Sequence, residues 1–385
     1  MSGTRSRTSA LVSLGLTMIR RPADPPIATL GMLAMARQLR GAATSLTTPL
    51  LPDDYLGLLN PLWSTRELRA RVEAVHPETA DAATLILRPG RDWPRHRAGQ
   101  YVPLGVDVDG VRHWRTYSLT SPPTRADGCL SVTVKAIPDG VVSRYLVHRT
   151  APGTVVRMQA PQGEFVLPDP QPARLLFLTA GSGITPVMGM LRTLATQGAA
   201  PDAVLVHSAP TSDAVIFGAE LRALAARWPA FRLYERHTAD AGRFRLDELP
   251  RLCTDWTERE TWACGPTGML DGTEAHWNAA GLTDRLHVER FRPKLLPPAA
   301  WGGTIHFVRT GRTIVADGST PLLSAGEAAG VPMPCGCRMG ICYGCVAPLL
   351  AGQVRDLRTG EVHGEEGTLV QTCVSAPAGP VDIDL

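Results

Sequence analysis

The pattern of apolar and polar positions divides the chain into regions with different predicted secondary structure. Across residues 66–167, short apolar runs such as TLILRP, QYVPLGVDV and LSVTVKAI are separated by Pro and Gly turns. Short strands at this spacing predict a closed antiparallel β-barrel. Across residues 173–292, apolar runs alternate with helical patterns, beginning with RLLFLTAGSGITPVMGMLRTLATQ. This alternation predicts an α/β domain with a parallel sheet and crossover helices.

The two ends of the chain have patterns of their own. Residues 1–64 contain one amphipathic helical stretch, 27–40, whose apolar stripe either packs on the barrel or docks on a partner or a membrane surface. Packing on the barrel is the simpler interpretation, since most amphipathic helices bury their stripe within their own protein. A Pro-rich segment, PKLLPPAAWGG, has the composition of a semi-rigid spacer. We therefore predict an N-terminal helical extension (1–64), a barrel (65–169), an α/β domain (170–293), a linker (294–302) and a terminal domain (303–385).

Length and composition agree with several folded domains. A chain of 385 residues is expected to form two or three, and 44% hydrophobic with 19% charged residues is typical of globular proteins. No apolar run reaches 18 residues, so we expect no transmembrane segment. The apolar run at 10–19 is followed by Arg20, Arg21 and Pro22 instead of a small-residue cleavage site. We therefore expect a cytoplasmic protein, with at most peripheral contact with the membrane.

Charge is distributed unevenly along the chain. From Trp301 onward there are five Arg or Lys against eight Asp or Glu, a net charge of −3, while the whole chain carries +3. An acidic terminal domain can therefore dock against a basic body by charge. Because the basic residues are dispersed and form no stripe, nucleic-acid binding is not expected.

Four cysteines carry the strongest chemical signal. Cys337, Cys342 and Cys345 read C-x4-C-x2-C, and Cys373 follows 28 positions later. This is the ligand spacing of a plant-type 2Fe-2S ferredoxin. The resemblance to such ferredoxins implies a β-grasp fold for the terminal domain. A zinc site or a disulfide knot is the alternative, but zinc sites usually pair two CxxC-like knuckles and no second one is present. Cys335 lies outside the pattern and is predicted not to be a ligand.

Three motifs in the predicted barrel and α/β domain, which together we call the body, indicate the electron donor. Arg115-Thr116-Tyr117-Ser118, followed by Gly140-Val141-Val142-Ser143, offers an Arg and a Ser for a diphosphate and an aromatic ring and a hydroxyl for a flavin. By itself, this short string also fits an ordinary barrel strand.

The other two motifs each lie between an apolar strand and a helix. The segment TAGSGITP contains Gly181, Gly183, Thr185 and Pro186, and glycines at such a turn let the backbone approach a phosphate at the helix N-terminus. The segment CGPTGM begins at Cys264 and could place its thiol beside a nicotinamide ring. The alternatives are an ordinary packing turn and a small buried hydrophobe, respectively.

In their order along the chain, RTYS, GVVS, GSGITP, CGPTGM and the segment VERF at 288–291 resemble the ferredoxin–NADP reductase superfamily. With the cysteine pattern added, the chain is similar to three-domain flavin and iron–sulfur reductases. The resemblance implies FAD, with FMN as the less favoured flavin, a 2Fe-2S cluster, and NADPH, with NADH as the alternative. It implies a flavin and nucleotide site made of Arg115, Thr116, Tyr117, Ser118, Gly140, Val141, Val142, Ser143, Gly181, Gly183, Thr185, Pro186, Gly265, Pro266 and Phe291. It implies direct roles at the reacting rings for Tyr117, Ser118, Cys264 and Glu289.

A narrower likeness concerns the electron acceptor. The segment at 60–89, NPLWSTRELRARVEAVHPETADAATLILRP, resembles reductases that supply membrane fatty acyl-CoA desaturases. A diiron or Rieske oxygenase and a cytochrome P450 are the other acceptors that the resemblance implies. A protein of another class, a non-enzymatic redox carrier or sensor, would not show bleaching of a flavin spectrum by NAD(P)H.

Overall fold

The computed structural model describes residues 52–138, 140–198, 202–296 and 302–385. The predicted amphipathic stretch at 27–40 lies outside these residues. The first element within the described residues is a short helix, α1 (Pro52–Leu59). The barrel follows and contains the strands β1 (Leu68–Thr79), β2 (Ala82–Pro89), β3 (Tyr101–Val108), β4 (Val111–Ser118), β5 (Leu130–Lys135) and β6 (Val155–Met158), with helix α2 (Val141–His148) between the last two.

The barrel strands pair in the order β4-β3-β6-β1-β2-β5, and every pairing is antiparallel. A bridge between Leu119 and Val132 joins the residue after β4 to β5 and closes the sheet. Alternate side chains of the strands point inward and form one buried cluster that includes Val72, Leu85 and Leu104. The predicted antiparallel barrel is confirmed.

The second domain is built on five parallel strands. They are β7 (Arg174–Ala180), β8 (Asp202–Ala209), β9 (Phe231–His237), β10 (Glu260–Cys264) and β11 (Leu286–Glu289). Their order is β11-β10-β7-β8-β9. Strands β8 and β9 are added on one side of β7, and β10 and β11 on the other, so the strand order reverses between β7 and β10. The helices are α3 (Ile184–Thr196), α4 (Gly218–Arg227), α5 (Thr238–Ala241), α6 (Leu249–Leu252) and α7 (Thr267–Ala279). Apolar clusters lie on both sides of the sheet, as a doubly covered parallel sheet requires.

The terminal domain has a mixed sheet. Its strands are β12 (Gly302–Phe307), β13 (Arg312–Asp317), β14 (Val346–Asp356), β15 (Val362–His363), β16 (Leu369–Gln371) and β17 (Ser375–Ile383), with helix α8 (Leu322–Ala328). The order is β13-β12-β17-β14-β15, and β16 pairs with β14 on a separate path. The loop between α8 and β14 carries three of the four predicted cluster ligands.

Among the described residues, no helix is long and apolar enough to cross a membrane. The predicted domain boundaries remain predictions.

Candidate functional site

Three separate parts of the chain surround a cavity of about 360 Å³. The barrel contributes the end of β4, and the α/β domain contributes the segment 287–291. The third part is the loop that carries Cys337, Cys342 and Cys345, which we call the cluster loop, and it contributes Met339 and Ile341. The barrel residues Tyr101 and Phe165 add aromatic surface. A planar apolar ring with polar edges suits such a lining.

Two polar atoms at this cavity have no hydrogen-bond partner among the described residues. They are Ser118 Oγ and Glu289 Oε2, and both are shielded from solvent. Burial raises the pKa of Glu289 to about 8, so its carboxyl group is largely neutral at pH 7. Buried polar atoms without a partner are costly, and heteroatoms at the edge of a flavin ring would satisfy them. The residues present therefore fit a flavin.

The remaining RTYS residues lie in different surroundings. Arg115 donates from Nη1 to the carbonyl oxygens of Trp114 (2.7 Å) and Gly336 (2.9 Å), the second of which belongs to the cluster loop. Thr116 Oγ1 lies 3.4 Å from Met339 Sδ. Tyr117 packs against the barrel core and is absent from the lining of the flavin cavity. Its burial raises the pKa of the phenol, which stays neutral.

The segment from Gly140 to Ser143 forms the start of α2. Gly140 occupies the N-cap position, and no side chain caps the first turn of the helix. A Cβ on Gly140 would lie 2.2 Å from Ser143 Oγ, so this position is tight. Val141 is exposed and Val142 is buried. An uncapped helix N-terminus favours a phosphate group, and the assignment of these residues to a diphosphate stays a prediction.

A larger cavity of about 890 Å³ lies at the carboxyl ends of the parallel strands. Gly181, Gly183, Gly265 and Pro266 line it, as a nucleotide site at a reversal of strand order requires. Gly181 has a φ of +55° and open space where a Cβ would lie. A Cβ on Gly183 would lie 2.1 Å from the carbonyl oxygen of Cys264, so only glycine fits there.

The other predicted nucleotide residues lie behind this surface. Thr185 and Pro186 are buried at the start of α3, where Thr185 Oγ1 donates to the carbonyl oxygen of Ser182 at 2.9 Å. The Cys264 side chain is fully buried, and its residue is in register with Glu289 on the neighbouring strand. Burial raises the pKa of the Cys264 thiol well above its ordinary value, so the thiol is neutral. Contacts of these residues with a nucleotide stay predictions.

Four cations line the nucleotide cavity, and the sequence motifs did not identify them: Lys135, Arg243, Arg290 and Arg292. The segment directly after the second parallel strand, HSAPTSD, contains no Lys or Arg. Arg243 instead comes from the segment after β9, the next strand along the sheet edge, together with Phe244. Inspecting the ends of all neighbouring strands would have found it.

Phe291 lines both cavities, as does Arg290. The Phe291 side chain is 37% exposed, and it stands where the nucleotide and flavin cavities adjoin. The predicted contact of Phe291 with the flavin or the nucleotide stays a prediction.

The four predicted cluster ligands come together as two pairs. The thiols of Cys337 and Cys342 are hydrogen-bonded to each other, and those of Cys345 and Cys373 form the second pair. Within the described residues, no three His, Cys, Asp or Glu side chains are arranged around one ion. A 2Fe-2S centre holds two irons with two thiolates on each, which matches two pairs of thiols.

Backbone amides of the loop point at the sulfur atoms. Cys337 N donates to Cys342 Sγ (3.0 Å), and Met339 N donates to Cys337 Sγ (3.3 Å). Such hydrogen bonds stabilise thiolates and tune the potential of a cluster. The hydrogen bond from Cys342 and the neighbouring amides hold the pKa of Cys337 below its ordinary value. Gly336 leaves room for this arrangement, because a Cβ there would lie 2.3 Å from Cys342 Sγ. These residues fit a 2Fe-2S cluster.

The off-pattern Cys335 takes no part in either pair. Its side chain is hydrogen-bonded to Arg338 and packs beside a small apolar cluster.

Comparisons with known proteins agree with this geometry. Residues 81–167 match the oxidoreductase FAD-binding domain, residues 177–275 the oxidoreductase NAD-binding domain, and residues 305–378 the 2Fe-2S iron-sulfur cluster binding domain. An NADPH oxidoreductase from Mycobacterium tuberculosis is 54% identical over 350 residues, which are 90% of this chain and 92% of that protein. The chain belongs to the flavin and iron–sulfur reductases of the ferredoxin–NADP reductase type. This reductase is an oxidoreductase whose cofactors are FAD, a 2Fe-2S cluster and NAD(P)H.

Two further similarities extend over most of the reductase. The glycine betaine monooxygenase reductase subunit of Pseudomonas aeruginosa is 30% identical over 364 residues, covering 85% of this chain and 98% of that protein. The solved structure of phthalate dioxygenase reductase has a TM-score of 0.57 at 22% identity, covering 83% of this chain and 98% of that chain. The second similarity confirms the predicted three-domain fold, including the terminal 2Fe-2S domain.

Proposed function

We propose that this reductase takes electrons from NADPH and delivers them singly, through FAD and the 2Fe-2S cluster, to an oxygenase-type acceptor protein. One observation carries the proposal: the flavin cavity is lined by the end of β4, by the segment 287–291 and by the cluster loop. The nucleotide cavity, the flavin cavity and the cluster loop therefore adjoin one another. When bound, FAD accepts a hydride from the nicotinamide and passes single electrons onward.

The chain's own contribution is binding, orientation and shielding. Ser118 Oγ and Glu289 Oε2, which have no partner among the described residues, are proposed to hydrogen-bond the flavin ring. Gly181 and Gly183 let the backbone approach the nucleotide pyrophosphate. Because the reacting rings are held in contact, the reaction gains the rate advantage of proximity and needs no acid–base dyad.

NADPH is the preferred donor in this proposal because of Arg243. Arg243 lines the nucleotide cavity together with Thr238 and Phe244, near the sheet edge where we place the adenosine half of the dinucleotide. A 2′-phosphate is distinguished from a hydroxyl by such a cation. The name of the M. tuberculosis relative, NADPH oxidoreductase, supports the same choice.

The donor preference can be measured directly. After flavin and iron analysis of the purified protein, stopped-flow reduction with NADPH and NADH would compare wild type with Arg243→Gln. We expect the KM for NADPH to rise roughly 10- to 100-fold, as for loss of one charged hydrogen bond, with little change for NADH. Arg227→Gln, at the exposed end of α4, is the matched control. A preference for NADPH that survives in Arg243→Gln would contradict this assignment.

Two classes of acceptor are supported by different observations. The segment 60–89 resembles reductases of membrane fatty acyl-CoA desaturases. With such an acceptor, we propose that residues 1–64 dock on the cytoplasmic surface of the membrane. The name of the P. aeruginosa relative instead favours the oxygenase component of a monooxygenase. We propose the desaturase as the specific acceptor and a Rieske, diiron or P450 oxygenase as the alternative.

Reconstitution separates the two. Membranes that contain a fatty acyl-CoA desaturase, and a purified Rieske oxygenase component, would each be supplied with the full chain and NADPH. Substrate-dependent product formation only with the membranes supports the desaturase, and formation only with the oxygenase overturns it. A protein that shows no bleaching of its flavin spectrum by NADPH would overturn the whole proposal in favour of a non-enzymatic carrier or sensor.

A further inference from the structure

The cluster loop has two sides with different neighbours. On one side, Gly336 accepts a hydrogen bond from Arg115, while Met339 and Ile341 line the flavin cavity. On the other side, Tyr343 is 67% exposed, and Gly344 is exposed as well. The two sides lie within the ten residues 336–345, which include three of the four ligands. An electron can therefore arrive from one side and leave by the other.

An apolar surface continues from Tyr343 along two paired strands. Pro348 on β14 is paired with Leu369 on β16, and Val346 is paired with Gln371. Because side chains alternate along a strand, the buried Ala347, Leu349 and Val370 face the core, while Val346 and the pair Pro348–Leu369 lie on the opposite side of the strands. Leu369 is 62% exposed. We call Tyr343, Val346, Pro348 and Leu369 the outer face of the cluster loop.

Carboxylates border this outer face. Glu365 and Glu366 are exposed, lie in the turn just before Leu369, and form no ion pair with the described residues. Other acids of the terminal domain are neutralised within it: Asp384 by Arg309, Glu327 by Arg338, and Asp356 by Arg358. Asp317 and Glu361 likewise have no basic partner among the described residues, and Glu365 and Glu366 are the adjacent pair of unpaired carboxylates beside the outer face.

The acids of the terminal domain are not used to hold it on the body. Among the described residues, none of them forms an ion pair with a basic residue from 52–296. The contacts that join the two parts are instead hydrogen bonds such as Arg115 to Gly336 and Leu296 N to the Leu357 carbonyl oxygen. The expectation of docking by charge within the chain is therefore not supported by any ion pair among the described residues, and Glu365 and Glu366 remain available to another molecule.

We propose that the outer face of the cluster loop docks the electron acceptor, a redox protein whose own centre is surrounded by Lys and Arg around an apolar contact. This inference rests on the proposed function. One electron passes from the reduced cluster to the acceptor's centre, which is reduced as the cluster is oxidised, and NADPH replaces the electron by way of the flavin. Because the flavin-facing side of the loop stays covered, the acceptor binds without displacement of the terminal domain from the barrel.

Charge reversal tests the proposal in the full-length holoprotein. The variant Glu365→Lys/Glu366→Lys would be compared with Asp92→Lys/Asp284→Lys, which makes the same change in net charge at exposed positions of the other two domains. The probe is cytochrome c, a cationic one-electron acceptor protein, at low and high ionic strength. Ferricyanide, a small anionic acceptor, reports electron supply through the flavin.

We expect the second-order rate constant for cytochrome c to fall roughly tenfold at low salt in Glu365→Lys/Glu366→Lys, and the difference from wild type to shrink at high salt. The control should change less than twofold, and flavin reduction by NADPH should be the same in all three proteins. Leu369→Ser should lower the rate several-fold at both ionic strengths, since it removes apolar contact area.

The outcomes separate this proposal from the proposed function. A wild-type protein that reduces ferricyanide but not cytochrome c contradicts electron delivery through the cluster. Normal wild-type activity with equal losses in the two double variants shows that only net charge matters, and it overturns the docking surface. Unchanged cytochrome c reduction in Glu365→Lys/Glu366→Lys and Leu369→Ser overturns it as well.

Discussion

Glu289 should control how fast the flavin is reduced as the pH changes. Its carboxyl lies at the flavin cavity with Oε2 unpartnered among the described residues, and burial raises its pKa from an ordinary 4.5 to about 8. At pH 7 roughly nine molecules in ten carry the neutral acid, and at pH 9 roughly one in ten. If the neutral form is required beside a ring that gains negative charge, the rate should fall roughly tenfold between these pH values.

The measurement is stopped-flow flavin reduction by saturating NADPH from pH 6 to pH 10. Wild type should show an inflection near pH 8, and Glu289→Gln, which is neutral throughout, should show none. Glu164→Gln removes another carboxylate that lines the same cavity, from the barrel, and should keep the inflection. If Glu289→Gln retains the inflection, the reasoning is refuted, and the buried thiol of Cys264 becomes the next group to test.

Stability should respond in the same pH range. Between pH 4.5 and 8 the folded protein keeps a proton on Glu289 that the unfolded chain has lost, so stability falls as the pH rises and levels off above 8. At about 1.36 kcal/mol per pKa unit, the full effect is about 5 kcal/mol as an upper limit. Thermal unfolding of wild type relative to Glu289→Gln should show a gap that widens from pH 5 to pH 8. A constant gap would mean that Glu289 ionises as it does in water.

Three other substitutions test the cofactor sites. Cys342→Ser should abolish the visible spectrum of the iron–sulfur cluster while NADPH still reduces the flavin, and loss of both in a flavin-loaded protein would show that the sites are inseparable. Arg115→Ala should weaken flavin binding by roughly one to two decades through loss of a charged hydrogen bond, measured as flavin lost on dialysis; full retention would leave its contact with Gly336 as its only role. Gly183→Ala should destabilise the protein by about 1 to 3 kcal/mol and impair NADPH binding, because its Cβ would lie 2.1 Å from a backbone oxygen of Cys264; a normal melting temperature and KM would contradict this.

The sequence predicted best where chemistry constrains spacing. Four thiolates on two irons require a tight loop and one distant ligand, so Cys337 and Cys373 could be assigned from spacing. Gly183 could be assigned because a strand-to-helix turn that approaches another backbone requires glycine. The alternation of apolar runs predicted both the barrel and the parallel sheet.

The sequence predicted least where distant segments meet. Arg243 enters the nucleotide cavity from a strand neighbour, and Met339 reaches the flavin cavity from another domain. Neither contact leaves a local pattern. Within the RTYS motif, strand alternation turns Thr116 and Ser118 toward the cavity and Tyr117 toward the barrel core, and the predicted role of Tyr117 at the flavin stays a prediction.

Met339 and Ile341 belong to the loop that holds the cluster, yet they also form part of the wall of the flavin cavity. Met339 and Ile341 therefore shield the flavin site from solvent and also place the cluster loop next to it. Removal of the terminal domain would therefore remove the cluster and would also open the flavin cavity at Met339 and Ile341. The two residues that bring the cluster loop to the flavin cavity thus also close one side of that cavity.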